Sequence, residues 1–168
     1  MGTRGLTIVK YQGQVMVAQY GQWDHYPTGQ GKTIQKFLKN NYKGENKKIF
    51  KKHLLESNFV TMHEAESDIN SVIFDRNQTY EEESDSFNFV FPQYSRDTGA
   101  EILELILNGP VPLRNSLDFK NDTLFCEYHY TLDLDTEMLS IGGHAKYKGS
   151  FSDFKKLDLE KFEGREEK

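Results

Sequence analysis

One cysteine, Cys126, is all the sequence holds. A lone thiol closes no internal disulfide and builds no cysteine metal cluster, a usage that fits a reducing cytoplasm. No apolar run approaches the roughly 20 residues a membrane-spanning helix needs. No basic, apolar and small-residue series opens the chain, so a secretory signal is not expected. Positive charge is in deficit: 21 lysines and arginines face 26 acids, a net charge of −5 that argues against a general nucleic-acid coat protein. Apolar residues make up only 36%, yet twelve Phe and nine Tyr bring large rings that close a core with few residues. The 168 residues suit a single domain burying roughly two thirds of the surface of its unfolded chain.

What charge there is lies in blocks. Eight lysines (32, 36, 39, 43, 47, 48, 51 and 52) stand against Glu45 alone, and twelve acids between Glu56 and Glu104 stand against Arg76 and Arg96. Two oppositely charged faces are expected. Lys47, Lys48, Lys51 and Lys52 are candidate phosphate contacts.

Hydrophobic periodicity divides the chain. Leu6–Lys10 and Val15–Ala18 alternate around Tyr11–Gln14 and read as an N-terminal hairpin, apolar on both faces and so covered on both. Ile34, Phe37 and Leu38 mark one helix; Ile49, Phe50 and Leu54 mark a second with lysines opposite. Residues 63–76 read as a helix, Glu81–Asp85 as a loop or frayed helix, and Phe87, Phe89 and Phe91 as a short strand. Thr98 and Glu101 form a capping box before Ile102–Leu107, stopped by Gly109-Pro110. Leu124–Leu134 alternates as one long strand, Asp133–Thr136 turns it into Met138–Ile141, and Ala145–Tyr147 adds a third. Strands at both ends with helices between predict an α+β layered fold over residues 1–162, with a charged, disordered tail at 163–168.

Polar and aromatic groups concentrate where the hairpin opens. Thr3 and Arg4 precede it, and Gln19, Tyr20, Gln22, Trp23, Asp24 and Tyr26 follow it. If the hairpin forms, Arg4 meets Asp24 as an ion pair inside a pocket walled by Tyr20, Trp23 and Tyr26. Gly29-Gln-Gly31-Lys32-Thr33 ends like a P-loop without its first glycine, which leaves a weaker expectation that the Gly31 amides and Lys32 hold an anion. His63 and Glu66 lack the further ligands a metal needs, so neither metal nor cofactor is expected. His129 is a candidate acid or base on which Glu127 or Asp133 could lean; His25, His53 and His144 carry no distinguishing context.

The start Gly2-Thr3-Arg4-Gly5, the loop Trp23-Asp-His-Tyr-Pro27-x-Gly29-x-Gly31 and the hairpin from Tyr128 to Leu139 resemble a family of small phage and bacterial proteins. Its members open with G/C-T-R-G and carry W/Y-D-x-Y-P-x-G-x-G. The resemblance implies a fold like the N-terminal-nucleophile hydrolases, two layered antiparallel sheets between helices. Those enzymes attack with the side chain of the first mature residue. Removal of Met1 here exposes Gly2, which has no nucleophile, and Thr3 would need a further cut. Any chemistry would then rest on Thr3, Arg4 and Asp24. The resemblance also implies an anti-defence role: an anti-CRISPR protein acting on a host type II effector nuclease or its guide RNA and promoting RNA cleavage. The alternatives are a small amidohydrolase using the same pocket and a binding module with no chemistry.

Overall fold

The structure is a computed structural model that describes residues 2–61, 63–65, 67 and 91–162. Most of the expected helix at 63–76, the acidic run at 81–85, most of the Phe87–Phe91 strand and the tail at 163–168 lie outside the described residues.

Strands β1 (Gly5–Tyr11) and β2 (Gln14–Gly21) form the N-terminal hairpin. Its two-residue turn places Gln12 and Gly13 at φ 55° and 71°, the pair of left-handed residues whose twist matches that of the strands. The Asp135 carboxylate, from a second turn, accepts the amides of Gln12 and Gly13 at 3.0 Å each. Strands β3 (Tyr128–Asp133), β4 (Met138–Gly143) and β5 (Tyr147–Ser150) complete one sheet in the order β2-β1-β3-β4-β5.

The pairing of β1 with β3 is parallel, from Gly5 opposite Tyr128 to Lys10 opposite Asp133. The other pairs are antiparallel. The α+β class holds. Two antiparallel layers do not describe it: the described residues form one mixed sheet. The reason is topological. A parallel pair needs a long crossover, and the chain between β2 and β3 supplies one that carries α1 (Lys32–Asn40), α2 (Glu45–Glu56) and α3 (Ile102–Leu107). Helix α4 (Phe151–Lys155) follows β5, its start capped by the Ser150 hydroxyl accepting the Asp153 amide at 3.0 Å.

The sheet's two faces differ. Val9, Val17, Tyr130, Leu132, Leu139 and Ile141 pack with Ile34, Phe37, Phe50, Ile102 and Phe154 in the main core. Leu6, Ile8 and Cys126 form a smaller cluster on the other face, under Leu117 and Phe119. The hairpin is therefore covered on both faces, as its pattern requires.

Three local expectations change. The strand expected over Leu124–Leu134 begins only at Tyr128; Leu124 is 74% exposed, because Asp122 Oδ1 takes the amides of Leu124 and Phe125 into a turn. The third C-terminal strand runs Tyr147–Ser150 rather than Ala145–Tyr147. Thr98 does not cap α3: its hydroxyl bonds Pro92 O, and a 3-10 turn at Gly99–Glu101 leads in. The reciprocal capping box forms instead at Thr61 and Glu64, each side chain accepting the other's amide at 3.1 Å.

Candidate functional site

The start of the chain and the Trp23 loop do meet. The Thr3 carbonyl accepts the His25 amide at 3.1 Å, and a Cβ on Gly2 would sit 2.7 Å from the Trp23 ring. The expected Arg4–Asp24 ion pair does not form. The Arg4 guanidinium lies 4.8 Å over the Phe125 ring, and the Asp24 carboxylate accepts the Tyr26 hydroxyl at 3.0 Å. Asp24 sits at φ 58° with its carbonyl bonded to the Gln30 amide at 2.6 Å, so the turn aims its side chain along the loop.

The rest of the loop is tied down in the same way. Trp23 Nε1 donates to Asp97 at 2.6 Å, the Tyr20 hydroxyl to Gln22 Oε1 at 2.5 Å, and the Gln22 amide to the Arg96 carbonyl at 2.9 Å. The Gln30 carboxamide bridges the Trp23 carbonyl and the Ala100 amide. The Gly29, Gln30 and Gly31 amides bond Tyr26 and Asp24 carbonyls, which leaves none of them to hold the anion expected at Gly31. Lys32 pairs with Glu160 at 3.3 Å.

His25, which no spacing or motif singles out, is the residue that organises this loop. It is fully buried, and its ring lies against paired glycines: Cβ atoms at Gly5 and Gly21 would fall 2.6 and 2.2 Å from it. Nδ1 is 3.2 Å from the Trp23 carbonyl, and Nε2 has no partner among the described residues. Burial lowers its pKa to about 4, so the ring is neutral at pH 7. Its carbonyl accepts the hydroxyl of the fully buried Tyr130 at 2.6 Å. His25 is a wedge holding the loop on the sheet, and Gly5 and Gly21 were the signal for it.

Behind the loop, at the outer edge of β2, lies a cavity of about 370 Å³ with largely apolar walls, into whose lining Gln19, Tyr20, Ser95, Arg96, Arg114 and Asn115 bring polar groups. The segment around Asn115 covers the exposed edge of β2 by pairing with Ala18. The buried Gln19 carboxamide donates to the Gln93 carbonyl at 3.2 Å and fixes the floor. Arg114 stacks 5.4 Å over Tyr94, and its Nε is buried without a partner among the described residues, as is that of Arg4. Burial raises the Tyr20 pKa, with the charges of Arg4 and Arg96 pulling it back. The ion pairs among the described residues are made by lysines, so Arg4, Arg96 and Arg114 all stand without a carboxylate there. Three of the chain's five arginines thus gather around Tyr20, although sequence spacing gives no hint of it.

The lysines of α2 are mostly engaged. Lys47 pairs with Glu137 at 3.0 Å, Lys48 with Glu45 at 3.6 Å, and Lys51 lies 5.6 Å over the Tyr11 ring; Lys52 is exposed. His129 has lysines, not carboxylates, as charged neighbours: burial, Lys120 and Lys146 all lower its pKa. Asp133 accepts the amides of Asp135 and Thr136 instead. His63 is exposed, and Glu66 lies outside the described residues, among which no three metal-ligating side chains converge. No family model, curated protein or solved structure matches the chain.

Proposed function

We propose that this protein acts by binding, as a non-catalytic anti-defence factor, and that its arginine cavity takes a phosphate-bearing nucleotide of the guide RNA of a host type II CRISPR effector. The observation that carries the reading is the pair Arg96 and Arg114 in the lining of one cavity, without a carboxylate partner among the described residues. A guanidinium offers a planar fork of donors that matches phosphate, and stacking on Tyr94 orients one of the two. The cavity's size falls in the lower range of small-ligand clefts, enough for one nucleotide rather than a helix. The catalytic alternatives called for Arg4 beside Asp24, and the Arg4 guanidinium lies over Phe125 instead. The nuclease setting rests on the resemblance alone.

The test is fluorescence anisotropy with a fluorescein-labelled 5′-phosphorylated dinucleotide, too short to follow an extended surface. The Arg96→Ala/Arg114→Ala double variant should bind at least about a hundredfold more weakly, since each charge-assisted contact contributes about 1.5–3 kcal/mol. Arg4→Ala/Asp24→Ala should bind within about threefold of the parent, because neither side chain lines the cavity. Equal affinity of parent and arginine variant would remove the cavity from the mechanism. RNA shortened on a denaturing gel after incubation with the protein would restore a catalytic reading.

A further inference from the structure

A second polar feature lies on the sheet face opposite α1–α3. Strand register places Ile8, Thr131, Ser140 and Lys148 in one row across β1, β3, β4 and β5. Lys10, Asp133 and Met138 form the next row, and Leu6, His129 and Gly142 the row on the other side. Leu117 and Phe119 cover only the β1 and β2 part of this face. Two adjoining hollows lie along it: one of about 480 Å³ between the Leu117–Asn121 segment and β1 to β4, and one of about 390 Å³ from β1 across β3 and β4 to Lys148 of β5; they share Lys10, Thr131 and Ser140 and so form one trough. Lys120 stands at one end and Lys148 at the other.

Cations are spaced along this trough. Lys10, Lys120 and Lys148 line it and make no ion pair with a described residue. Thr131 and Ser140 place hydroxyls on the floor between them, and neither bonds another described side chain. Two carboxylates share the lining: Asp133, whose Oδ1 accepts the amides of Asp135 and Thr136, and Asp118, so the three lysines leave it net positive by one charge. His129, beside the trough, is held neutral by burial and by Lys120 and Lys146, and its ring lies against Gly142, where a Cβ would sit 2.1 Å from Cε1.

We propose that the trough is a docking surface for the phosphodiester backbone of single-stranded nucleic acid. Lys10, Lys120 and Lys148 contact phosphates, and the hydroxyls of Thr131 and Ser140 donate to their oxygens. Four strands at about 4.8 Å spacing span roughly 14 Å, the rise of about four nucleotides at 3.4 Å each. Among the described residues no aromatic ring lines the trough to stack a base, so binding follows charge and chain length rather than base identity. This surface goes beyond the arginine cavity and is separate from it.

The experiment uses the full chain and fluorescein-labelled 12-nucleotide oligouridine, titrated at salt concentrations from 50 to 200 mM. The parent should show log affinity falling with log salt at about −0.7 per phosphate contacted, and Lys120→Ala/Lys148→Ala should reduce that slope by about 1.4. Oligoadenosine should bind within about twofold of oligouridine. Uridine monophosphate competition reads the arginine cavity alone, so its loss in Arg96→Ala/Arg114→Ala with an unchanged oligouridine slope separates the two sites. An unchanged slope in the lysine variant overturns the trough while leaving the cavity standing. A 12-residue polyglutamate that binds the parent more tightly than oligouridine does also overturns it, in favour of an acidic protein partner. Lys120 and Lys148 are exposed, so equal melting temperatures should confirm that both variants fold.

Discussion

His25 sets the behaviour of the loop at the level of single residues. Its ring occupies the space two missing Cβ atoms leave, so Gly21→Ala forces overpacking against the ring and against Gly99. That substitution should destabilise by about 1–3 kcal/mol, a fall in melting temperature of roughly 2–4 °C per kcal/mol for a chain of this size. Gly109→Ala, with no neighbour inside 4 Å, should melt within about a degree of the parent. The same ring makes stability depend on pH. Its folded pKa of about 4 lies below the ordinary 6.5, so the unfolded chain takes up the proton first as pH falls. Stability from this group is complete above about 6.5 and is lost between there and about 4, roughly 3 kcal/mol in all. The His25 ring resonances should therefore stay at their neutral shifts down to about pH 5, and a midpoint near 6.5 would show that the ring is solvated. Cys126 makes a parallel case. Burial, with Asp122 adding to it, pushes its thiol up to about 11, so it should resist a thiol reagent at pH 8 in the native protein and react at once in denaturant.

Elements are joined by a few side chains acting at long range. Gln35, buried on α1, donates to the carbonyls of Phe154 and Leu157 at 2.9 and 2.8 Å and holds the C-terminal turn of α4 against the helix. Gln35→Leu removes the partner of the half-buried Leu157 carbonyl and one of the bonds on the Phe154 carbonyl, which keeps the Leu157 amide, and should destabilise by about 1 kcal/mol in urea titration, more than an exchange on the exposed side of the same helix such as Lys36→Gln. The two hairpins share one carboxylate. Bonds from the Gly13 and Gln12 amides hold the Asp135 pKa below the usual range, so its contribution is present at neutral pH and disappears as pH falls through the lowered value. Asp135→Ala should speed amide exchange at Gln12 and Gly13 before it changes any other strand. Such contacts explain which elements were readable. The hairpin, α1, α2, α3 and the β3–β4 turn each carry an alternation or a stripe that local sterics impose. The start of β3 was not readable, because Leu124 and Phe125 continue the alternation while Asp122 bends their backbone away from the sheet.

For the whole molecule the deciding feature is the parallel contact of β1 with β3. The chain from Gly21 to Tyr128 intervenes, and that contact buries Leu6, Ile8, Val9, Tyr130 and Leu132 at the centre of the sheet. Amide exchange should be slowest in β1 and β3 and faster in β5, which has one neighbour and a half-exposed pattern. Charge at this scale follows the fold and not the blocks in the sequence. The lysines of α2 turn to Glu137, Glu45 and Tyr11, whereas Lys10, Lys120 and Lys148, far apart along the chain, line one trough.

Periodicity alone determined the α+β class, the two hairpins and the helices between them, since a strand shows every second residue and a helix every third or fourth to its core. It also placed the chain's start beside the Trp23 loop. Only the tertiary structure decided that β1 and β3 run parallel, that Arg4 turns to Phe125 instead of Asp24, and that Arg96 and Arg114 share a cavity. Local sterics act over a few residues and leave a record in composition. The direction of a guanidinium is settled by whichever ring or carboxylate the folded chain brings within reach, and no spacing along the chain encodes that distance.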